Sequence, residues 1–100
     1  MTLEGRLQTY CSVEVAAHLS GVPVARVRSM VRQGLIQPPR IEGGRPLFGD
    51  SELARLRKIR RLTTDLGVNL AGVEIILRLT DELSAMRAGA QSREVNSWRS

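Results

Sequence analysis

The sequence predicts a mainly α-helical domain: two short helices, a β-hairpin, and two further C-terminal helices. Three observations carry that reading. Apolar residues recur at helical spacings of three and four on both sides of the segment Gly34–Phe48. That segment is too rich in proline and glycine to be helix, yet it holds Leu35, Ile36, Ile41, Leu47 and Phe48. Aromatic residues are limited to Tyr10, Phe48 and Trp98, so the core must be aliphatic, which suits packed helices.

One hundred residues make one domain near the lower limit of a self-sufficient core. Residues 1–9 read as a loose lead-in, 10–87 as the folded domain, and 88–100 as a polar tail without regular structure. Ser12 is placed to cap a first helix, whose apolar stripe is Val13, Ala16, Ala17 and Leu19; Ser20-Gly21 ends it. Pro23 suits the first turn of a second helix, in which Val24, Val27, Met30 and Val31 face inward. Arg28 and Arg32 then share the outer face, with Arg26 to one side. Gly34 stops this helix in the position after its C-cap. A helix pair joined by so tight a turn is a helix-turn-helix, and its second helix presents arginines.

The hairpin follows, with Gly43-Gly44 as a two-residue turn and Arg40 and Arg45 flanking the tip. A basic wing behind a helix pair can grip a phosphate backbone; the alternative is a hairpin that only covers the core. Asp50 is expected to cap a third helix, with Glu52 in its first turn and Leu53, Leu56, Ile59 and Leu62 buried. Arg57 and Arg61 share a face of it and could reach phosphate, or serve only to keep the helix solvated. Gly67 ends this helix and Asn69 caps the fourth, which runs to about Met86. Val73, Ile76 and Leu83 line one side of it, and Ile75, Leu79 and Met86 the other. So wide an apolar arc wants a second partner, and Ile75, Leu79, Leu83 and Met86 are the candidate protein interface.

Charge is unevenly placed. The segment Ser20–Arg61 holds ten basic and three acidic residues, while the whole chain carries a net charge of only +5. A basic segment beside a mildly acidic remainder favours a polyanion, and all but one of those ten are arginine, whose planar fork suits phosphate and guanine. Candidate DNA-contacting residues are therefore Arg26, Arg28, Arg32, Arg40, Arg45 and Arg57. Cys11 and His18 are the only thiol and imidazole and have no further ligand cluster, so neither a metal site nor a nucleophile pair is predicted. The Gly43-Gly44 pair lacks the following helix of a phosphate-binding loop, and adjacent Asp81-Glu82 diverge on a helix. No catalytic residue and no cofactor is expected. A lone cysteine, no spanning apolar run and no signal segment predict a cytoplasmic protein with no membrane association.

The order of parts resembles the MerR family: helix-turn-helix, Gly34-Leu35-Ile36-Gln37-Pro38, the arginine-flanked wing, and Phe48-Gly-Asp-Ser-Glu-Leu53 leading into Leu56-Arg57-Lys58-Ile59. The stretch Arg61–Val73 is similar to two branches of that family, the heat-shock repressor HspR and CbpM, the modulator of a DnaJ-like co-chaperone. The resemblance spans Tyr10–Met86. It implies a winged helix-turn-helix that binds double-stranded DNA as a homodimer, with Arg28 in the recognition helix and Arg40 and Arg45 in the wing. The alternative it implies is a chaperone modulator that binds the J-domain of a DnaJ-type co-chaperone. Three departures stand out: Ser29-Met30-Val31 replaces a tyrosine-containing pair, Pro46 replaces a second wing arginine, and little helix potential is seen after Met86.

Overall fold

The structure, a computed structural model, describes the backbone of residues 9–99 and the side chains of residues 9–90. The expected lead-in at 1–9 lies, apart from Thr9, outside the described residues. The chain divides into two units, Met1–Val68 and Asn69–Ser100.

The first unit is the helix-turn-helix with its wing. Helix α1 spans Val13–Ser20; the Ser12 hydroxyl accepts from the Val15 N–H, and Gly21 ends the helix in the left-handed conformation. Its buried face is Val13, Ala16, Ala17 and Ser20. Leu19, expected in that stripe, is half exposed instead. At 100° per residue it falls about 120° from Val13, beyond the Ala16 edge of the stripe, whereas Ser20 returns between Ala16 and Val13.

Helix α2 spans Val24–Arg32, with Pro23 one position earlier than expected, as the N-cap. Val27 and Met30 are fully buried, which turns Arg26, Arg28 and Arg32 to the exposed side. The helix closes with two reciprocal bonds: Leu35 N–H to the Met30 carbonyl at 2.9 Å and Gly34 N–H to the Val31 carbonyl at 3.1 Å. This six-to-one, five-to-two pattern needs a left-handed residue after the C-cap, and Gly34 supplies it at φ +78°. Leu35 and Met30, at its two ends, are both buried.

Strands β1 (Arg40–Glu42) and β2 (Arg45–Leu47) pair antiparallel, Arg40 opposite Leu47, Ile41 opposite Pro46 and Glu42 opposite Arg45. Gly43 and Gly44 both have positive φ, as a two-residue hairpin turn requires. Ile41, counted among the apolar residues of this segment, is 68% exposed, so the hairpin projects rather than lying on the core. The return arm continues into a bridge: Cys11 and Phe48 exchange both backbone hydrogen bonds, at 2.9 and 2.8 Å. Phe48 is fully buried.

Helix α3 spans Asp50–Arg60 and begins one residue earlier than expected, since Gly49 and not Asp50 holds the N-cap position. The Glu52 carboxylate reaches back to the Gly49 N–H at 2.8 Å, leaving Asp50 in the first turn, where the helix dipole favours it. Leu53, Leu56 and Ile59 are buried; Leu62 is only half buried, because the chain widens into a π-helical turn over Arg61–Asp65. Thr63 promotes that widening by donating its hydroxyl to the Ile59 and Arg60 carbonyls. Helix α1 packs on both α2 and α3. Fully burying the core side chains Val27, Met30, Ile36, Phe48, Leu56 and Ile59 contributes about 1.5–3 kcal/mol for each.

The second unit is helix α4, Leu70–Arg99. Asn69 caps it, its side-chain oxygen accepting from the Gly72 N–H at 2.8 Å. The helix does not stop near Met86, and the segment expected to be an irregular tail is helical to Arg99. The reason is local: Ala85, Arg87, Ala88 and Ala90 favour helix, no proline interrupts them, and Gly89 alone costs only about 1 kcal/mol. Trp98 has no described side chain.

Gly21 sets a testable limit. At φ +75°, with the Arg60 guanidinium 2.7 Å from where a Cβ would sit, Gly21→Ala should cost about 1–2 kcal/mol, most of it backbone strain. Urea unfolding followed by circular dichroism checks this; a midpoint unchanged from wild type contradicts it.

Candidate nucleic-acid interface

The basic residues singled out in the sequence are not equivalent in the structure. Arg28 and Arg45 come together. They line one open groove of ≈ 520 Å³ with Ser12, Val13, Glu14, Gly44 and Pro46, between the start of α1, the outer face of α2 and the hairpin tip. The helix-turn-helix supplies two of its walls and the wing the third. Helix α2, nine residues, is about 13 Å long, and an α-helix about 10–12 Å across with its side chains fits a major groove about 12 Å wide.

Arg28 donates from Nη2 to Glu14 Oε2 at 2.9 Å, both side chains more than half exposed. Arg40 is held twice: its guanidinium lies 5.1 Å from the Tyr10 ring centroid, and Nη1 is 3.5 Å from Glu42 Oε2. Arg26, Arg32 and Arg45 are exposed and make no ion pair with any described residue. Arg57 is exposed on α3 but does not line the groove with Arg28 and Arg45. Two more arginines have structural roles. Arg55 donates from Nε to the Leu35 carbonyl at 2.6 Å, and Arg60 lies over Gly21.

Two residues of this surface were not legible as such. Glu14 and Arg28 stand fourteen positions apart, a spacing no helical periodicity brings together; only the crossing of α1 and α2 does. Tyr10 is placed beneath Arg40 by the Cys11–Phe48 bridge, which no local pattern signals. On α4, the candidate interface residues Ile75, Leu79, Leu83 and Met86 are 46–69% exposed; Leu83, expected on the side of Val73 and Ile76, stands instead on the exposed side, four residues on from Leu79, whereas Val73 is buried. Among the described residues, no group of three or more histidines, cysteines or carboxylates could hold a metal, and no helix is long and apolar enough to cross a membrane.

Residues 11–94 match the family of MerR HTH family regulatory proteins. The chain belongs to that family. It is 33% identical over 78 residues to the heat shock protein HspR of Streptomyces coelicolor, a match covering 78% of this chain and 52% of the relative. It is 32% identical over 90 residues to the HTH-type transcriptional regulator MlrA of Salmonella typhimurium, covering 90% of this chain and 32% of that one. The Escherichia coli MlrA is 37% identical over 68 residues, 68% of this chain and 28% of the relative. The chain thus spans about half the length of the HspR relative and about a third of the MlrA proteins.

Cys11 directly precedes Ser12 of this groove, and its backbone is locked to Phe48. Burial, and secondarily the Asp50 carboxylate, push its thiol above the ordinary cysteine value. The thiol is therefore more fully protonated in the folded chain than in the unfolded one at mildly alkaline pH. Because the folded value is raised, this contribution to stability is complete below the unfolded value and is lost as pH rises through the folded one. Iodoacetamide should modify Cys11 several-fold more slowly in native protein at pH 8 than in urea; equal rates contradict the assignment.

Proposed function

We propose that this chain is a DNA-binding transcriptional regulator of the MerR type, tied to heat-shock or chaperone genes. The observation that carries the reading is the groove that joins Arg28 of the second helix to Arg45 of the wing tip. Membership in a family of regulatory proteins and likeness to proteins named as transcriptional regulators and as a heat shock protein support it.

In this reading α2 enters the major groove. Arg28 lies at its centre and Arg26 and Arg32 at its flanks, while Arg40 and Arg45 hold the adjoining backbone phosphates. Arg57, on α3, takes a peripheral phosphate. Most of the affinity is electrostatic and falls steeply with salt. The chain acts as a homodimer joined through α4, whose residues Ile75, Leu79, Leu83 and Met86 fall within one stripe of the helix and are exposed in the single chain. Two recognition helices then read two half-sites about one helical turn apart.

Fluorescence anisotropy against the DNA upstream of its own gene and a scrambled duplex, across salt, tests the reading. Submicromolar, salt-sensitive binding that prefers the upstream duplex is expected; equal affinity for both overturns it. The double variant Arg40→Ala, Arg45→Ala should lower affinity at least tenfold and reduce the salt slope by about 2. Wild-type binding by that variant would sink the assignment of the wing. Assembly is read separately by sedimentation equilibrium, where Leu79→Glu or Met86→Glu should shift the wild-type dimer to monomer. A dimer that persists in both variants removes α4 as the interface.

A further inference from the structure

The groove holds a carboxylate where a surface made only to attract phosphate would not have one. Glu14 lines the same groove as Arg28 and Arg45, and its charge opposes a DNA backbone approaching there. Building on the DNA-binding reading, we propose that Glu14 is a specificity-determining residue. It offsets the charge of Arg28 and directs that guanidinium to guanine edges instead of phosphate.

The bond between them uses one corner of the arginine, Nη2 to Oε2 at 2.9 Å. A guanidinium has five N–H donors in a fixed fork, so the edge away from Glu14 remains available for the paired acceptors O6 and N7 of guanine. Those acceptors are neutral, and hydrogen bonding to them does not require an uncompensated positive charge. Attraction to phosphate is weakened by a compensating carboxylate, more by the 2.9 Å Arg28–Glu14 pair than by the looser 3.5 Å pair of Arg40 with Glu42. Pairing with Glu14 therefore weakens the contact that carries no sequence information and leaves the one that does.

Both ends of the pair stand on packed backbone. Glu14 is the second residue of α1 and Arg28 the fifth of α2; the two helices pack on each other, and Ala16, Ala17 and Val27 on them are buried. The guanidinium is thus aimed by the crossing of two helices rather than by its own flexible stem. The contrast lies on the same helix, where Arg26 and Arg32 make no ion pair with any described residue and keep their full charge for phosphate. Alternating compensated and uncompensated arginines along one helix separates reading from gripping.

The test uses the full chain and Glu14→Gln, which keeps size and an acceptor oxygen but removes the charge. Duplexes are selected from a random pool by wild type and by the variant. Each protein is then titrated by anisotropy on the wild-type-selected duplex and its scrambled version across salt. Thermal melting confirms that the variant folds, as expected for an exposed position. Wild type should recover a motif with a fixed guanine. The variant should bind scrambled DNA several-fold more tightly, with a salt slope steeper by about 1, and its preference for the selected duplex should fall about tenfold. A preference within twofold of wild type, or an equal loss on both duplexes, overturns the role of Glu14 while DNA reading stands. Recovery of no motif by wild type overturns both.

Discussion

The exchange of backbone hydrogen bonds between Cys11 and Phe48 is the constraint on which the candidate interface depends. Two strands of three residues each do not hold a fixed direction in water by themselves. Here the return strand runs on into Phe48, whose ring is fully buried and whose N–H and carbonyl are both paired to the residue just before the cap of α1. The wing is therefore tied at its base to the first helix, not only to its neighbours in sequence. The same tie brings Tyr10 under Arg40 and the Gly44–Pro46 tip beside Glu14 and Arg28. Burial of one aromatic ring in this way helps to set the position of two exposed arginines, Arg40 and Arg45.

Charge bookkeeping changes once the arginines have addresses. The basic segment looks uniform in sequence, but its side chains divide by what they contact. Arg55 completes the hydrogen bonding of the Leu35 carbonyl, and Arg60 covers the turn at Gly21. Arg28 and Arg40 meet carboxylates. Exposed pairs of this kind are worth only about 0–1 kcal/mol to the fold, so their effect is better sought in where they aim a guanidinium than in stability. Net charge predicts the class of partner; only the contacts separate the arginines that build the domain from those left to meet it.

The fold was legible wherever a local rule decided the backbone. Ser12, Gly34, the Gly43-Gly44 turn, Gly67 and Asn69 act as read, because a cap or a left-handed residue has no competitor within a few positions. The errors fall where geometry beyond the neighbours decides. Leu19 was assigned inward by its apolarity, although helix phase gives that face to Ser20. Asp50 yielded the cap to Gly49 because Glu52 folds back on the Gly49 N–H. Within the site, Arg28 and Arg45 were named for charge and placement, but their shared groove and the carboxylate inside it arise from the crossing of α1 and α2. No reading of spacing supplies that crossing.

Helix α4 carries both buried apolar residues, Val73 and Leu77, and an exposed apolar stripe along one long element. Thirty residues at 1.5 Å each give a rod of about 45 Å, and a helix of that length does not owe its stability to propensity alone. Ile75, Leu79, Leu83 and Met86 recur at spacings of four, four and three, keeping one exposed seam over three turns. Water gains nothing from such a seam, whereas a second copy would cover it and favour the helical state at the same time. In the homodimer proposed above, helix formation and assembly would be one equilibrium rather than two. On this argument the extension beyond Met86 matters less for the contacts it adds than for the length over which the two processes are coupled.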